Sequence, residues 1–283
     1  AYLVLSGTLS VGSSNYIFII LAIMIGGSFL WTMFTKRYMQ SRLTGTTDFT
    51  QVKKKVFSKV VQYISPQFQY FENGHIGIAE FIDSLLFKFE RYTLKGGDQI
   101  VGHYNGIPFQ SCNLMVTFRP NMRNEKEGDD VVFYGNFFVA RSPKTFEHPI
   151  VVRPVKGFFS DFNDNAISTY LNYGGERIRL EDPEFEKQFE VYCDDQITAR
   201  YVLTPAFMQR LKKLNERHKG QVYFGINKNN IVIATNEGNS LMTVGSSPAA
   251  MLFQKIDLPM VESVYRELVE QLQMIDTLKL VDN

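Results

Sequence analysis

Residues 99–118 read QIVGHYNGIPFQSCNLMVTF, in which two apolar and aromatic runs flank Asn105-Gly106. An Asn-Gly pair between such runs is the strongest short-range signal for a β-hairpin, because both turn positions require positive φ angles. The sequence therefore predicts that Gln99–Tyr104 and Ile107–Phe118 form strands that pair antiparallel.

Further strand and helix patterns follow and precede this hairpin. Strand patterns recur at Val131–Ala140, Pro149–Val155, Phe189–Cys193, Thr198–Leu203 and in a second predicted hairpin of Gln221–Ile226 and Ile231–Thr235. Apolar residues at helical spacing predict helices at Gln51–Ile64, Ile78–Phe89, Pro205–His218 and Val261–Ile275, with a short helical turn after Asp182. Strands interrupted by a few helices indicate an α+β domain with a mostly antiparallel mixed sheet, not a doubly wound α/β fold.

The N-terminal part of the chain carries a candidate membrane span. Tyr16–Phe34 is almost entirely apolar, and no charged residue precedes Lys36. At about 1.5 Å per residue this stretch reaches roughly 28 Å, close to the thickness of a bilayer's hydrocarbon layer. We predict a transmembrane helix within residues 13–35. Residues 1–12 are also apolar, and we interpret them as the tail of a first transmembrane helix, so that the span is the second of a hairpin.

A basic neck follows the predicted span. Residues 1–59 contain seven Lys or Arg and one acidic residue, whereas the remaining residues contain 23 basic and 28 acidic ones. By the positive-inside rule, the side that follows the span faces the cytoplasm. Residues 36–64 are interpreted as a juxtamembrane stalk and amphipathic helix. Residues 65–283 are interpreted as the soluble domain, with a possible subdomain break near 156–176.

The stalk helix has an apolar face on which Lys53 intrudes. An anionic-lipid contact and an ordinary solvated stalk both fit the basic pattern. The predicted membrane-contact residues are Trp31, Lys36, Arg37, Arg42, Lys53, Lys54, Lys55 and Lys59.

Composition excludes several classes of function. The mild acidity of the body argues against a nucleic-acid binder, which would carry its positive charge on the folded domain. Two cysteines, Cys112 and Cys193, are too few for a disulfide framework, and both fall in predicted strands where buried, inert thiols are the common case.

The search for catalytic or metal-binding motifs yields little. The four histidines lack ligand spacing, and the sequence contains no P-loop, dinucleotide fingerprint or G-x-S-x-G elbow. The carboxylate pairs Asp129-Asp130 and Asp194-Asp195 are the residual candidates for Mg²⁺ binding, with Cys193 as a candidate nucleophile. Neighbouring strand residues point to opposite faces, so a solvated turn is the simpler interpretation of each pair. The sequence indicates no cofactor and no metal, and a non-enzymatic role is favoured.

The stretch Arg179–Pro205, RLEDPEFEKQFEVYCDDQITARYVLTP, resembles the central motif of an uncharacterised bacterial membrane-protein family. That family is catalogued as domain of unknown function 3137 and is sometimes labelled galanin-like. Residues 97–102 (GDQIVG) and 133–138 (FYGNFF) resemble two further elements of the family. The matching motif residues, of unknown role, are Asp182, Pro183, Phe185, Asp194, Asp195, Arg200, Tyr201 and Pro205.

The resemblance implies an inner (plasma) membrane protein with a pair of transmembrane helices. Genes of that family often lie beside those of LemA-family proteins, so the resemblance implies a LemA-family protein as a partner. Two functions fit these features. The first is a membrane-anchored, non-enzymatic scaffold or interaction domain, which acts with a membrane-protein partner or as a homo-oligomer. The alternative is a lipid- or small-ligand-binding module. Membrane lipids are a partner in both, and nucleic acid in neither.

Overall fold

Within a computed structural model, the described residues are 51–87, 92–118, 130–155, 175–236 and 258–278. The strands are β1 Gln69–Phe71, β2 Tyr92–Tyr104, β3 Ile107–Phe118, β4 Asp130–Pro154, β5 Glu176–Ile178, β6 Phe189–Cys193 and β7 Val222–Asn236. The helices are α1 (residues 51–64), α2 Ile78–Asp83, α3 Pro183–Gln188, α4 Gln196–Val202, α5 Pro205–Arg217 and α6 Leu258–Thr277. The chain divides between Gln51 and Val52, and all of these elements except the first residue of α1 belong to the second unit.

The seven strands form one antiparallel sheet in the order β1-β2-β3-β4-β6-β5, with β7 also paired to β4. Strand β7 runs along β4 from Gly135 to Val152 and therefore occupies one edge of β4. Strands β3 and β6 pair with the two ends of β4 on its other edge. The predicted α+β class with mostly antiparallel pairing is confirmed.

The first hairpin is also confirmed. Tyr104 pairs with Ile107, and the two residues between them have the positive φ angles that their types favour, 50° for Asn105 and 78° for Gly106.

Two pairs of predicted strands are strands in the structure, but the breaks predicted within each pair are wrong, because the long strands do not stop where turn residues occur. Val131–Ala140 and the predicted strand Pro149–Val155, except Val155, belong to one 25-residue strand, β4. The residues predicted as a second hairpin form the single strand β7, in which Lys228 has φ 55° and lies opposite Phe146 at an irregularity in the pairing. Pairing with β4 thus continues through a segment whose composition is typical of a turn.

Two other local predictions are corrected by backbone geometry. Thr198–Leu203, predicted as a strand, instead forms most of helix α4 and its C-cap, Leu203, because the Asp195 side chain accepts hydrogen bonds from the first free amides of that helix. Helix α2 ends at Asp83 and does not continue to Phe89, because Leu85 adopts φ 59°, which a right-handed helix does not allow.

Apolar side chains are buried on both faces of the sheet. The helix-side core includes Phe109, Phe138 and Phe224, packed against helices α1 and α3–α6. The loop-side core includes Phe133 and Phe137, packed against Phe81, Phe87 and Tyr223. Strands β4 and β7 contribute to both cores.

The predicted span, Tyr16–Phe34, lies outside the described residues, as do residues 1–12, the neck to residue 50 and most of the suggested break at 156–176. Of the helices that the structure describes, none has the length and apolar character needed to cross a membrane.

Candidate functional site

A row of polar side chains crosses the middle of the sheet on its helix side. Asn113 of β3 lies opposite Asn136 of β4, which in turn lies opposite Thr235 of β7. Directly opposed residues of an antiparallel pair point to the same face, so these three side chains form one row, with Ser111 beside it. Asn113 and Thr235 are 3% and 0% exposed, so their polar atoms need partners within the protein.

Helix α6 supplies part of those partners. Gln271 Nε2 donates to Asn136 Oδ1 at 2.8 Å, and Thr235 Oγ1 donates to Glu267 Oε1 at 3.0 Å. Gln271 and Glu267 lie one helical turn apart and therefore share a face of α6. Ser111 Oγ also donates to Asn136 Oδ1, at 3.1 Å. Polar contacts thus fix the position of α6 on the sheet.

Helix α1 is fixed to the same row by a buried ion pair. Lys53 Nζ lies 2.7 Å from Asp98 Oδ1, and the two side chains are only 11% and 14% exposed. Tyr70 Oη donates to Asp98, and Asn113 Nδ2 donates to it at 3.3 Å, which links the pair to the polar row. Burial, together with the adjacent Asp98 carboxylate, raises the pKa of Tyr70, so its phenol remains a donor.

Asp98 occupies a special backbone position. It has φ 57°, in the left-handed region that Asp and Asn tolerate better than most residues, and its amide donates to Glu72 O at 2.8 Å. The bend carries its carboxylate into the space beneath α1.

Little room remains between α1, α6 and the sheet. The space lined by Phe57, Tyr70, Asp98, Asn136 and Gln271 is about 20 Å³, which admits about one water molecule. Because these side chains are hydrogen-bonded to one another and the space is small, the arrangement holds two helices on the sheet. We call this set, Lys53, Tyr70, Asp98, Ser111, Asn113, Asn136, Thr235, Glu267 and Gln271, the docking cluster.

The family-motif residues lie elsewhere, in and beside helices α3 and α4 and at the start of α5. Asp182 caps α3 by accepting from the amides of Glu184 and Phe185, each at 3.0 Å, and forms an ion pair with Lys212 at 2.8 Å. The hydrogen bond from Lys212, then those from the two amides, lower the pKa of the Asp182 carboxyl. Pro183 follows as the first helical residue, and the Phe185 side chain is fully buried.

The second half of the motif separates its two aspartates. Asp195 accepts from the backbone and hydroxyl of Thr198, and those bonds lower the pKa of its carboxyl. Asp194 instead pairs with His148 at 2.9 Å on the surface. Tyr201 is 64% exposed. The two carboxylates are therefore engaged by different partners and do not form a joint metal-binding pair.

The remaining motif residues are Arg200, which bonds to Gln196 within α4, and Pro205, which begins α5 after the Thr204 cap. In the part of the chain that the structure describes, no three His, Cys, Asp or Glu side chains are grouped so that they could hold a metal ion.

The predicted lipid-contact lysines are divided by the structure. Lys53 is buried in the docking cluster, which removes its ammonium from any lipid contact, whereas Lys54, Lys55 and Lys59 are exposed. Trp31, Lys36, Arg37 and Arg42 lie outside the described residues.

Both cysteines are buried. Burial raises the pKa of the Cys112 thiol to about 12 and also raises that of Cys193, which disfavours the thiolate that a nucleophile needs.

Sequence reasoning did not identify the docking cluster, although three signals pointed to it. Lys53 intrudes on an apolar helix face, and the polar Asn113 lies between Cys112 and Leu114 in a predicted strand. Asp98 and Asn136 lie within the family-like elements at residues 97–102 and 133–138.

Comparison with known proteins gives one family and one distant structure. The sequence model of a family described as "Protein of unknown function (DUF3137)" matches residues 131–280, from β4 to α6. The crystal structure of the mycobacterial trehalose monomycolate transport factor A, TtfA, is similar over 81% of this chain and 96% of that one, at 7% identity and a TM-score of 0.40. No curated protein matches the chain significantly.

Proposed function

The chain belongs to the family of proteins of unknown function DUF3137, and we propose that it is a membrane-anchored, non-enzymatic interaction domain of a bacterial membrane-associated assembly. The anchor is the predicted span Tyr16–Phe34, and the domain faces the cytoplasm from the inner membrane. The partner is a membrane protein, with the LemA family as first candidate, or a second copy of this chain.

The observation that carries the proposal is the attachment of α1 to the sheet. The basic neck leads into α1, and Lys53 and Asp98 hold that helix in the domain through a buried ion pair. Only residues 35–50 separate the predicted span from α1, a length of chain that extends to at most about 55 Å. The domain is therefore kept close to the membrane surface, where it meets other membrane-bound proteins.

The chemistry of the described residues favours binding over catalysis. The docking cluster consists of side chains that satisfy one another, and the raised pKa values of Cys112 and Cys193 disfavour nucleophilic attack. Asp195 is engaged as a helix cap.

Helix α4 offers a surface for the partner. Ile197 and Tyr201 are 79% and 64% exposed and lie one helical turn apart, so they form a small apolar patch. This patch belongs to the motif Arg179–Pro205. Exposed aromatic and aliphatic side chains of this kind are the usual anchors of protein interfaces.

The test uses the full chain in its native membrane. After an alkaline wash, we expect the chain to stay with the membrane, and a variant with Ile20→Arg and Ile23→Arg in the predicted span to be released. After extraction in mild detergent, mass spectrometry should identify a stoichiometric co-eluting protein.

A matched pair of variants locates the interface. Ile197→Ser with Tyr201→Ser should abolish co-elution, whereas Ile78→Ser with Ile82→Ser, which removes a pair of exposed apolar side chains from α2, should retain it. Release of the wild-type chain by the wash, or a lone monomer in detergent, contradicts the proposal. A monomer that retains a small molecule would instead support the ligand-binding alternative.

A further inference from the structure

Helix α1 has two faces of different character. Its inner face, Lys53, Phe57 and Val61, is buried at 9%, 3% and 1% exposure. On the opposite side, Val52 and Tyr63 are 51% and 82% exposed. Among the residues that the structure describes, the inner face therefore supplies the buried contacts of α1, and the outer face stays largely exposed.

The outer face combines apolar and positive side chains. Val52, Lys55, Lys59 and Tyr63 are three or four residues apart and fall on one side of the helix. Residues 51–64 contain four lysines and no acidic residue. Because Lys53 is neutralised by Asp98, the net positive charge of α1 resides on its exposed lysines.

The same surface continues onto α6. The rings of Tyr63 and Tyr265 lie 6.4 Å apart, centroid to centroid. Leu258 is 78% exposed and lies two turns before Tyr265 on the same side of α6. Between them, Glu262 forms an ion pair with Arg266, so this part of α6 adds no net charge. We call Val52, Lys55, Lys59, Tyr63, Leu258 and Tyr265 the lipid face.

We propose that the lipid face lies on the headgroup layer of an anionic bilayer. Tyrosine suits that layer, because its ring is apolar and its hydroxyl remains hydrated. Positive side chains beside exposed apolar ones complement a surface that is negative outside and apolar beneath. The inference rests on the proposed anchor, which brings this surface within reach of the bilayer, and it names the lipid class that the domain contacts.

A single-tryptophan reporter tests the contact. The chain contains one tryptophan, Trp31, so Trp31→Phe with Tyr63→Trp places the only tryptophan on the lipid face. The full chain is reconstituted in nanodiscs of phosphatidylcholine with or without phosphatidylglycerol, using acyl chains brominated as quenchers. The matched control is Trp31→Phe with Ile82→Trp, which places the reporter at an exposed position of α2, on the other side of the sheet from α1.

We expect quenching and a blue-shifted emission at position 63 in anionic nanodiscs only, and neither at position 82. Replacing Lys55 and Lys59 by Gln should lower the ratio of quenched to unquenched chains by roughly fivefold for each lysine. High salt should have the same effect, because the attraction is electrostatic.

The outcomes separate this inference from the proposed anchor. An unquenched Tyr63→Trp reporter in a chain that enters nanodiscs overturns the lipid face and leaves the anchor standing. If the chain does not enter nanodiscs, it is mixed with preformed brominated vesicles. Quenching by these vesicles that depends on Lys55 and Lys59 supports the lipid face without the anchor. If the vesicles do not quench the reporter, the lipid face is overturned.

Discussion

Lys53 and Asp98 form a buried ion pair that joins α1 to the sheet. Removing one partner of a buried ion pair leaves an uncompensated charge in the interior and typically costs about 3–5 kcal/mol. We expect Lys53→Met to destabilise the domain by roughly that amount, and the double variant Lys53→Met, Asp98→Asn to recover part of it. Asparagine is the suitable partner change, because it tolerates the φ of 57° at position 98.

Urea unfolding of the detergent-solubilised chain measures the effect, with the reactivity of the Cys112 thiol as the signal. Lys55→Met, on the exposed side of the same helix, is the control and should change the free energy of unfolding by less than about 0.5 kcal/mol. Equal effects of the two lysine variants would contradict the structural role given to Lys53.

Tyr223 shows the opposite situation, a buried hydroxyl without a hydrogen-bond partner among the described residues. Such a group costs about 1–3 kcal/mol of desolvation that nothing offsets. We expect Tyr223→Phe to leave the free energy of unfolding unchanged or to raise it by about 1 kcal/mol. Tyr192→Phe provides the contrast, because the Tyr192 hydroxyl is hydrogen-bonded to Arg153 and Glu190. This variant should lower the free energy of unfolding. A clear loss at position 223 would show that its hydroxyl has a partner.

Residues whose roles are local could be predicted, and those whose roles join distant segments could not. Asp182-Pro183 was predicted to start a helix because a cap and its first residue are neighbours in sequence, and the structure confirms it. Lys53 and Asp98 are 45 residues apart, and no local rule pairs them. Lys53 intrudes on the apolar face of its helix, but that pattern does not identify Asp98 as its partner.

At the scale of single elements, helix α3 offers a test that includes pH. Asp182→Ala removes the cap and leaves the largely buried Lys212 unpaired, so we expect a loss of about 2–4 kcal/mol. Asp182→Asn keeps a capping side chain and loses only the ion pair, so its loss should be smaller. Urea midpoints of the two variants and the wild type give this order.

The lowered pKa of Asp182 sets the sign of the pH dependence. Because the folded-state pKa lies below the ordinary aspartate value of about 3.9, the stabilisation is fully present above that pH. It is lost as the pH falls through the folded-state pKa. The difference between wild type and Asp182→Asn should therefore be constant at neutral pH and narrow in acid. A difference that widens in acid would contradict the assigned ion pair with Lys212.

Elements with strong local signals were predicted well, and errors arose where tertiary pairing overrides composition. The Asn105-Gly106 hairpin and the periodic last helix are confirmed. Lys228-Asn229-Asn230 has the composition of a turn, but β4 provides a pairing partner on both sides of it, so β7 continues. The Asp195 cap converts a segment with strand-like composition into α4.

At the scale of the whole molecule, β4 and β7 connect the two cores. Cys112 lies in the loop-side core and Cys193 in the helix-side core, so the two thiols report on the two layers separately. Because the same two strands line both layers, we expect the layers to unfold together. Pulsed thiol labelling across a urea series, with peptide mass spectrometry to distinguish the two sites, should give one common midpoint. Separate midpoints would show that one layer opens independently.

The arrangement of strands was beyond reach from sequence, because one strand of 25 residues pairs with three others. Periodicity shows that Val131–Ala140 is a strand, but it does not show which strands pair with β4. One edge of β4 pairs with β7 along most of its length, and the other edge pairs first with β3 and then with β6. The docking cluster depends on that register, since a shift of one residue would turn Asn136 away from Asn113 and Thr235.

The strand order also bears on the resistance of the sheet to edge-to-edge aggregation. The path of strands ends at β1 and β5, which are three residues each. The 15-residue β7 pairs with β4 alone among the described strands, and its residues 222–226 and 231–236 are buried, so its other margin is covered along most of its length. Unpaired amides and carbonyls along a sheet margin recruit strands from other chains, and a short margin offers them little to pair with. Short or covered margins therefore disfavour cross-β growth between copies of this chain, and leave side-chain contacts as the route by which copies would associate.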